Sequence, residues 1–253
     1  MAIDVLDLRA FYASPLGHVA HRFVSQAIVS AWREPRGMRV LGIGYAPPYL
    51  SLWRDSAERL IAFMPAAQGV LHWPRPGASA TALVDPADLP LPDASIDRAL
   101  IVHALEMSHH PHDMLAEAWR VLAPGGRLLL VVPNRRGLWA RMDTTPFGEG
   151  RPFSRSQLTT LLRETLFSPE SWREALFVPP IPRRLFLRGA AAWEKLGGRL
   201  LLPGAGVLVI DATKQLYRPV PARPARNSAW RLRPVLSPAA LPAPRTGEAQ
   251  SAP

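Results

Sequence analysis

The segment Arg127–Val132, RLLLVV, is an apolar run led by one charged residue. A run of that kind is at home in a strand covered on both faces. Other short apolar segments share this character: Met38–Ile43 (MRVLGI), Leu60–Met64, Ala82–Val84, Ile96–His103 (IDRALIVH) and Gly206–Ala212. Between them lie stretches with helical spacing. Pro111–Leu122 repeats Met114, Leu115, Ala118, Trp119 and Leu122 on one face, and a further helix is expected over Leu50–Arg59. Strands that alternate with helices, and are themselves apolar throughout, predict an α/β fold with a doubly wound parallel sheet. With 253 residues and 48% hydrophobic content, the chain can bury one sizeable core.

The flanks are organised differently. Ser14 followed by Pro15 suits an N-cap and first turn, and Leu16, Val19, Ala20, Phe23, Val24, Ala27, Ile28 and Ala31 continue a helix to Trp32. Residues 1–36 therefore read as an N-terminal helical segment closed by Gly37, with the main domain over 37–218. Beyond Asn134 come a loop over 135–152, a helix over Ser154–Thr165, a strand over Ser171–Val178 and a basic amphipathic stretch over Pro182–Leu202, so that insertion helices occupy about 136–202. Residues 219–253, rich in Pro, Arg and Ala, are expected to be a disordered tail.

Composition removes several chemistries. With no cysteine, disulfides, thiolate metal sites and cysteine nucleophiles are excluded. Asp4 and Asp7 near the start argue against a secretory signal, and no run reaches the roughly 18 apolar residues of a membrane span. The expectation is a soluble, cytoplasmic protein. The formal charge of +10 is carried almost wholly by arginine, Lys195 and Lys214 being the only lysines, and no nucleic-acid-binding motif accompanies it. Nucleic acid is therefore not an expected partner.

The run Leu89–Ile96 (LPLPDASI), the strand end His103-Ala104-Leu105-Glu106, the helix with Glu117, Arg120, Val121 and Leu122, and then Ala123–Leu130 (APGGRLLL) together resemble a class I methyltransferase of the methyltransferase-11 type. The spacing follows that pattern unbroken from Asp85 to Leu130, and the resemblance extends over residues 37–217. It implies a Rossmann-like, mostly parallel seven-stranded sheet with a final antiparallel strand, Ser171–Val178 and Gly206–Tyr217 being the final pair. It also implies S-adenosyl-L-methionine as cofactor, held at the carboxyl ends of the strands.

The same resemblance assigns positions. An acid at the place of Asp85 accepts a hydrogen bond from the adenine amino group, with the backbone of Pro86 beside the ring; the competing reading is that Asp85 merely starts a turn ahead of Pro86. The glycine loop falls on Gly42-Ile43-Gly44-Tyr45-Ala46-Pro47-Pro48, where Gly42 stands for the usual acid, and Ala46 and Pro48 for the second and third glycines. Met64 stands where the family places its ribose-binding acid, and Gln68 is a neutral substitute nearby. The expected cofactor-binding set is Gly42, Gly44, Tyr45, Ala46, Met64, Asp85, Pro86 and His103.

Methyl transfer rests on positioning, so no fixed catalytic residue is required. His103 at a strand end and Tyr12 in the N-terminal segment are the catalytic candidates, each with an equal claim to plain packing; Glu106 either orients this segment or caps the helix at Pro111. The run His103, His109, His110, His112 is not expected to bind metal, because adjacent histidines diverge and no cysteine joins them. Within 181–202, arginines interleave with Leu185, Phe186, Leu187, Trp193 and Leu196. That pattern suits an insertion helix packed on the sheet or, less readily, a peripheral membrane contact. The expected activity is methylation of a small molecule or lipid; the alternative is a degenerate methyltransferase-like binding or regulatory module.

Overall fold

The computed structural model describes residues 3–200 and 204–217. The tail expected over 219–253 lies outside the described residues. Among the described residues, fourteen α-helices and strands follow one another as α1 (Val5–Ala13), α2 (Pro15–Ala31), β1 (Arg39–Gly44), α3 (Pro47–Leu50), β2 (Arg59–Pro65), β3 (Thr81–Val84), β4 (Ile96–Val102), α4 (Pro111–Val121), β5 (Leu122–Pro133), α5 (Arg155–Glu164), β6 (Phe167–Ala175), α6 (Arg184–Arg188), α7 (Ala190–Leu200) and β7 (Val207–Lys214). The strands form one sheet in the order β3-β2-β1-β4-β5-β7-β6. The first five are parallel, and β7 runs antiparallel to both β5 and β6.

Double burial of the strands follows from the two-residue period of their side chains. Val40, Leu100, Val102, Leu129, Val131, Val207 and Val209 project into one core, shared with α1 and α2. Their alternates, Leu41, Ile43, Ala99, Ile101, Leu128, Leu130, Leu208 and Ile210, project into a second core, shared with α4 and α5. Each central strand thus feeds two hydrophobic layers, and its sequence shows no polar face for that reason.

Three sequence expectations change. The helix over Leu50–Arg59 is only the short α3 and a 3-10 turn at Ser51–Trp53. Pairing of β1 with β2 begins at Arg39–Arg59, and the Gly37 and Glu58 amides donate to Ser56 and Met38 carbonyls at 3.0 Å, drawing residues 56–59 into the sheet. The Pro124-Gly125-Gly126 turn lies inside β5 as a bulge: four residues, Ala123–Gly126, stand opposite Asp97 alone. A whole helix, α1, precedes the expected one, with the Asp4 carboxylate accepting from the Leu6 amide at 2.8 Å as its N-cap.

The late insertion is anchored by one acid. Glu194 on α7 accepts from the Leu176 and Phe177 amides, both at 2.9 Å, which ties the helix to the end of β6. Burial raises the Glu194 carboxyl above its ordinary range, against the opposing effect of these amides. Leu187 packs on the core, whereas Trp193 and Leu196 remain exposed.

Candidate functional site

A cleft of about 410 Å³ opens at the carboxyl ends of β2, β3 and β4, where residues following each strand form its walls. Gln68 comes from the turn after β2, Asp85 and Pro86 from the turn after β3, and His103 and Met107 from the segment after β4. This is the place where an open α/β sheet presents its loops to a ligand, since the strand order reverses beside β1.

Behind the cleft lies a buried polar chain. The Tyr49 hydroxyl donates to Tyr12 Oη at 3.0 Å, Tyr12 Oη lies 2.8 Å from His103 Nε2, and His103 Nδ1 lies 3.2 Å from Glu106 Oε1. With Glu106 Oε1 as terminal acceptor, one proton arrangement satisfies every link: Tyr49 donates to Tyr12, Tyr12 to Nε2, and Nδ1–H to Glu106 Oε1. All four residues are buried. Burial, acting first, raises the Tyr12 phenol well above its usual range and also raises that of Tyr49; Tyr45, stacked on Tyr12 at 5.3 Å, is pushed up to about 12. These tyrosines therefore stay protonated at neutral pH and act as donors. His103 itself sits at φ +49°, in the left-handed region that non-glycine residues seldom occupy. Such strain is concentrated at functional positions.

Residues 25–130 match the methyltransferase domain family. Among curated proteins, the chain is 28% identical to the uncharacterised protein YafS of Escherichia coli K12 over 57% of this chain and 58% of that one. It is 40% identical to the 27-O-demethylrifamycin SV methyltransferase of Amycolatopsis mediterranei over 34% of this chain and 35% of that one. The chain thus spans less than two thirds of either relative. Among solved structures, an S-adenosylmethionine-dependent methyltransferase from Mesorhizobium loti superposes with a TM-score of 0.55 at 13% identity, covering 81% of this chain and all of that one. Residues 25–130 thus resemble a methyltransferase domain, and the sheet has the fold of a class I methyltransferase.

The resemblance implies S-adenosyl-L-methionine as cofactor, and the fold brings only part of the expected binding set to the cleft. Asp85, Pro86 and His103 line it; Gly42, Gly44, Tyr45, Ala46 and Met64 do not. Met64 and Ala46 are fully buried, Met64 within the core beside Ala62. Ala46 has φ −82°, an ordinary helical value, so no strain attends its replacement of a glycine. Gly44 keeps the conformation that excludes a Cβ, with φ +81°. Gly42 lies against Ala46 and Leu50, where a Cβ would stand 2.6 Å and 2.7 Å from their side chains. The buried Tyr45, Tyr12 and Tyr49 rings fill the space beside this loop.

Two buried side-chain atoms have no hydrogen-bond partner among the described residues, Gln68 Oε1 and Glu106 Oε2. The Gln68 Nε2 donates to the His103 carbonyl at 2.8 Å, while the Gln68 backbone carbonyl receives the Val5 amide at 2.8 Å, so this residue joins α1 to the floor of the cleft. Asp85 Oδ1 accepts from the Ala87 amide at 2.9 Å, which is the turn-starting role; Oδ2 is left for another donor. The fit to the cofactor is therefore good for its nucleoside half: an acid, an unsatisfied amide oxygen, and apolar surface from Val84, Met107 and Met114. Pro86 offers no N–H to an adenine ring.

His109 and His110 also line the cleft, but His112 points elsewhere, its Nε2 lying 3.6 Å from Glu164 on α5. Tyr12 is not legible in the sequence as a partner of His103, from which it is 91 positions distant, nor Tyr49 as a partner of Tyr12, because only the fold joins them; Glu106, close to His103 in the chain, contacts it as a residue that orients this segment would. Loss of the Tyr12 hydroxyl in Tyr12→Phe leaves His103 Nε2 and the Tyr49 O–H unpaired inside the protein. The expected loss of stability is about 1–3 kcal/mol, read as a lower urea midpoint; a variant as stable as the parent would contradict the chain of hydrogen bonds.

Proposed function

We propose that the protein is an S-adenosylmethionine-dependent methyltransferase whose acceptor is a small molecule or a lipid. The observation that carries this reading is the cleft at the ends of β2, β3 and β4, which gathers Asp85, Gln68 and His103 at the switch point of a methyltransferase fold. Asp85 would receive the adenine amino group through Oδ2, Gln68 Oε1 the ribose hydroxyls, and Val84 and Met114 would cover the ring. When bound, the cofactor supplies an electrophilic methyl group. The chain's own contribution is to hold the acceptor in line with it and exclude water. His103, held as the Nδ1–H tautomer by Glu106, presents Nε2 as a base once Tyr12 yields that position. The exposed Trp193 and Leu196 on α7 offer an apolar approach for a lipid acceptor.

A second reading is favoured by a specific observation: the Tyr12–Tyr45 stack is buried beside the glycine loop, where the cofactor's amino-acid half would pass. In that reading the domain binds a nucleoside-sized ligand without transferring a methyl group. Calorimetry separates the two. The enzyme reading expects S-adenosylmethionine to bind, and Asp85→Ala to weaken it about tenfold, as suits one charge-assisted hydrogen bond of ~1.5 kcal/mol. Binding of adenosine without S-adenosylmethionine would favour the module, and binding of neither would remove both.

A further inference from the structure

A second concavity, about 350 Å³, has Tyr45 in its lining: α1, the segment after β1 and residues 71–75 after β2 build its walls. Arg9 comes from α1, Arg54 from the turn that follows the 3-10 segment, and Arg75 from the loop after β2; among the described residues no Asp or Glu lines the groove. All three arginines are exposed. Among the described residues, the arginines that form ion pairs are Arg36, Arg39, Arg120, Arg127 and Arg155, so none of the three in the groove is neutralised. Like charges gathered around a concave, low-dielectric wall concentrate a positive potential there.

The aromatic wall is fixed in place. Trp73 Nε1 donates to Ser51 Oγ at 3.0 Å, and the Trp73 carbonyl receives the Ala80 amide at 2.6 Å. The loop is further tied by Thr81 Oγ1, which donates to the Leu71 carbonyl at 2.6 Å. Trp73 and Leu71 both pack against the core on the α1–α2 side of the sheet. The groove therefore has a preorganised indole and unpaired guanidiniums, the two components that recognise a planar anion by stacking and by forked hydrogen bonds. Its volume suits a small molecule rather than a polymer.

We propose that this groove is a binding site for a small aromatic anion, a planar molecule bearing a phosphate or carboxylate group. The anionic group is held by Arg54 and Arg75 with Arg9 at the α1 side, and the ring lies against Trp73. The site does not depend on what the neighbouring cleft binds, so it stands or falls independently of methyl transfer.

The test is calorimetric titration of the full chain with 1-naphthyl phosphate, with neutral 1-naphthol as the uncharged counterpart. Expected is binding of the phosphate at least about tenfold tighter than the naphthol, reduced about tenfold in Arg54→Ala and in Arg75→Ala, the effect of losing one charge-assisted contact. Trp73→Leu should weaken the aromatic phosphate and leave the weaker response to inorganic phosphate unchanged. Arg163→Ala, which removes an exposed arginine on α5 distant in sequence from the groove, should bind as the parent does. Near-ultraviolet circular dichroism confirms that each variant is folded. The proposal is overturned if the parent does not bind the phosphate, if it binds naphthol equally, or if Arg163→Ala loses as much affinity as the groove variants, which would reduce the effect to net charge.

Discussion

Gly44→Ala is expected to lower the unfolding free energy by about 2–5 kcal/mol, a large share of the roughly 5–15 kcal/mol available to a domain. Two costs combine. The residue has φ +81°, where an L side chain loses ~1–2 kcal/mol. In addition, a Cβ would collide with the Val102 carbonyl oxygen and stand 2.7 Å from Ala104 Cβ. That carbonyl is not free to retreat, because it accepts the Tyr45 amide at 2.8 Å and lies at the last register pair of β1 with β4, Gly44–Val102. Overpacking of this kind adds ~1–3 kcal/mol. Gly37→Ala separates the two costs: φ is +63° there, but a Cβ meets nothing within 4 Å, so only about 1 kcal/mol should be lost. Equilibrium urea unfolding of both variants is the measurement. Equal losses would mean that the contact with β4 contributes nothing.

Asp211→Ala is expected to cost about 3 kcal/mol, because it removes the shared acceptor of two donors from distant parts of the chain. The carboxylate on β7 is 1% exposed and accepts from Trp32 Nε1 at 3.1 Å and Arg127 Nε at 3.0 Å, with Arg127 Nη2 on its second oxygen. Without it the Trp32 N–H is left unpaired in the core, and the Arg127 guanidinium loses its counter-ion. The figure sits at the low end of the ~3–5 kcal/mol for breaking a buried ion pair, since Arg127 is 37% exposed and can rehydrate. Asp211→Asn keeps one acceptor for the indole and the same shape, and should lose about half as much. If both variants lose the same amount, the charge carries the effect and the hydrogen bond to Trp32 does not. A drop in tryptophan fluorescence polarisation alone would be too local a readout; the denaturation midpoint decides.

The comparison of these two residues shows what kind of information each level holds. Gly44 is marked in the sequence by its place after an apolar strand, because only glycine tolerates the left-handed turn that the loop requires. Asp211 carries no such mark: it is one acid in VLVIDATK, and its partners stand 179 and 84 positions away. Edge position hid another element. β6 reads FSPESWREA, and it pairs only with β7, so one side of the strand is left outside the sheet and its polar residues give no apolar run. Its observed bounds, Phe167–Ala175, therefore precede the expected Ser171–Val178.

For the candidate site, the strand ends were legible and the side-chain contents were not. Asp85, Pro86 and His103 could be placed on one crevice because parallel strands all deliver their carboxyl ends to the same edge. Gly42 lies within β1, Met64 within β2 and Ala46 at the start of α3, and all three are buried. The sequence by itself determined the α/β layering, through strands apolar on both faces, and the resemblance to a methyltransferase domain, through the unbroken spacing from Asp85 to Leu130. Only the tertiary structure decided that Tyr12 closes on His103, that Gln68 and Glu106 keep one unpartnered oxygen each, and that Arg9, Arg54 and Arg75 share one groove. The physical reason is range: periodicity reports which face of an element is buried, whereas hydrogen bonds and charge clusters form between elements whose separation along the chain encodes nothing about their distance in space.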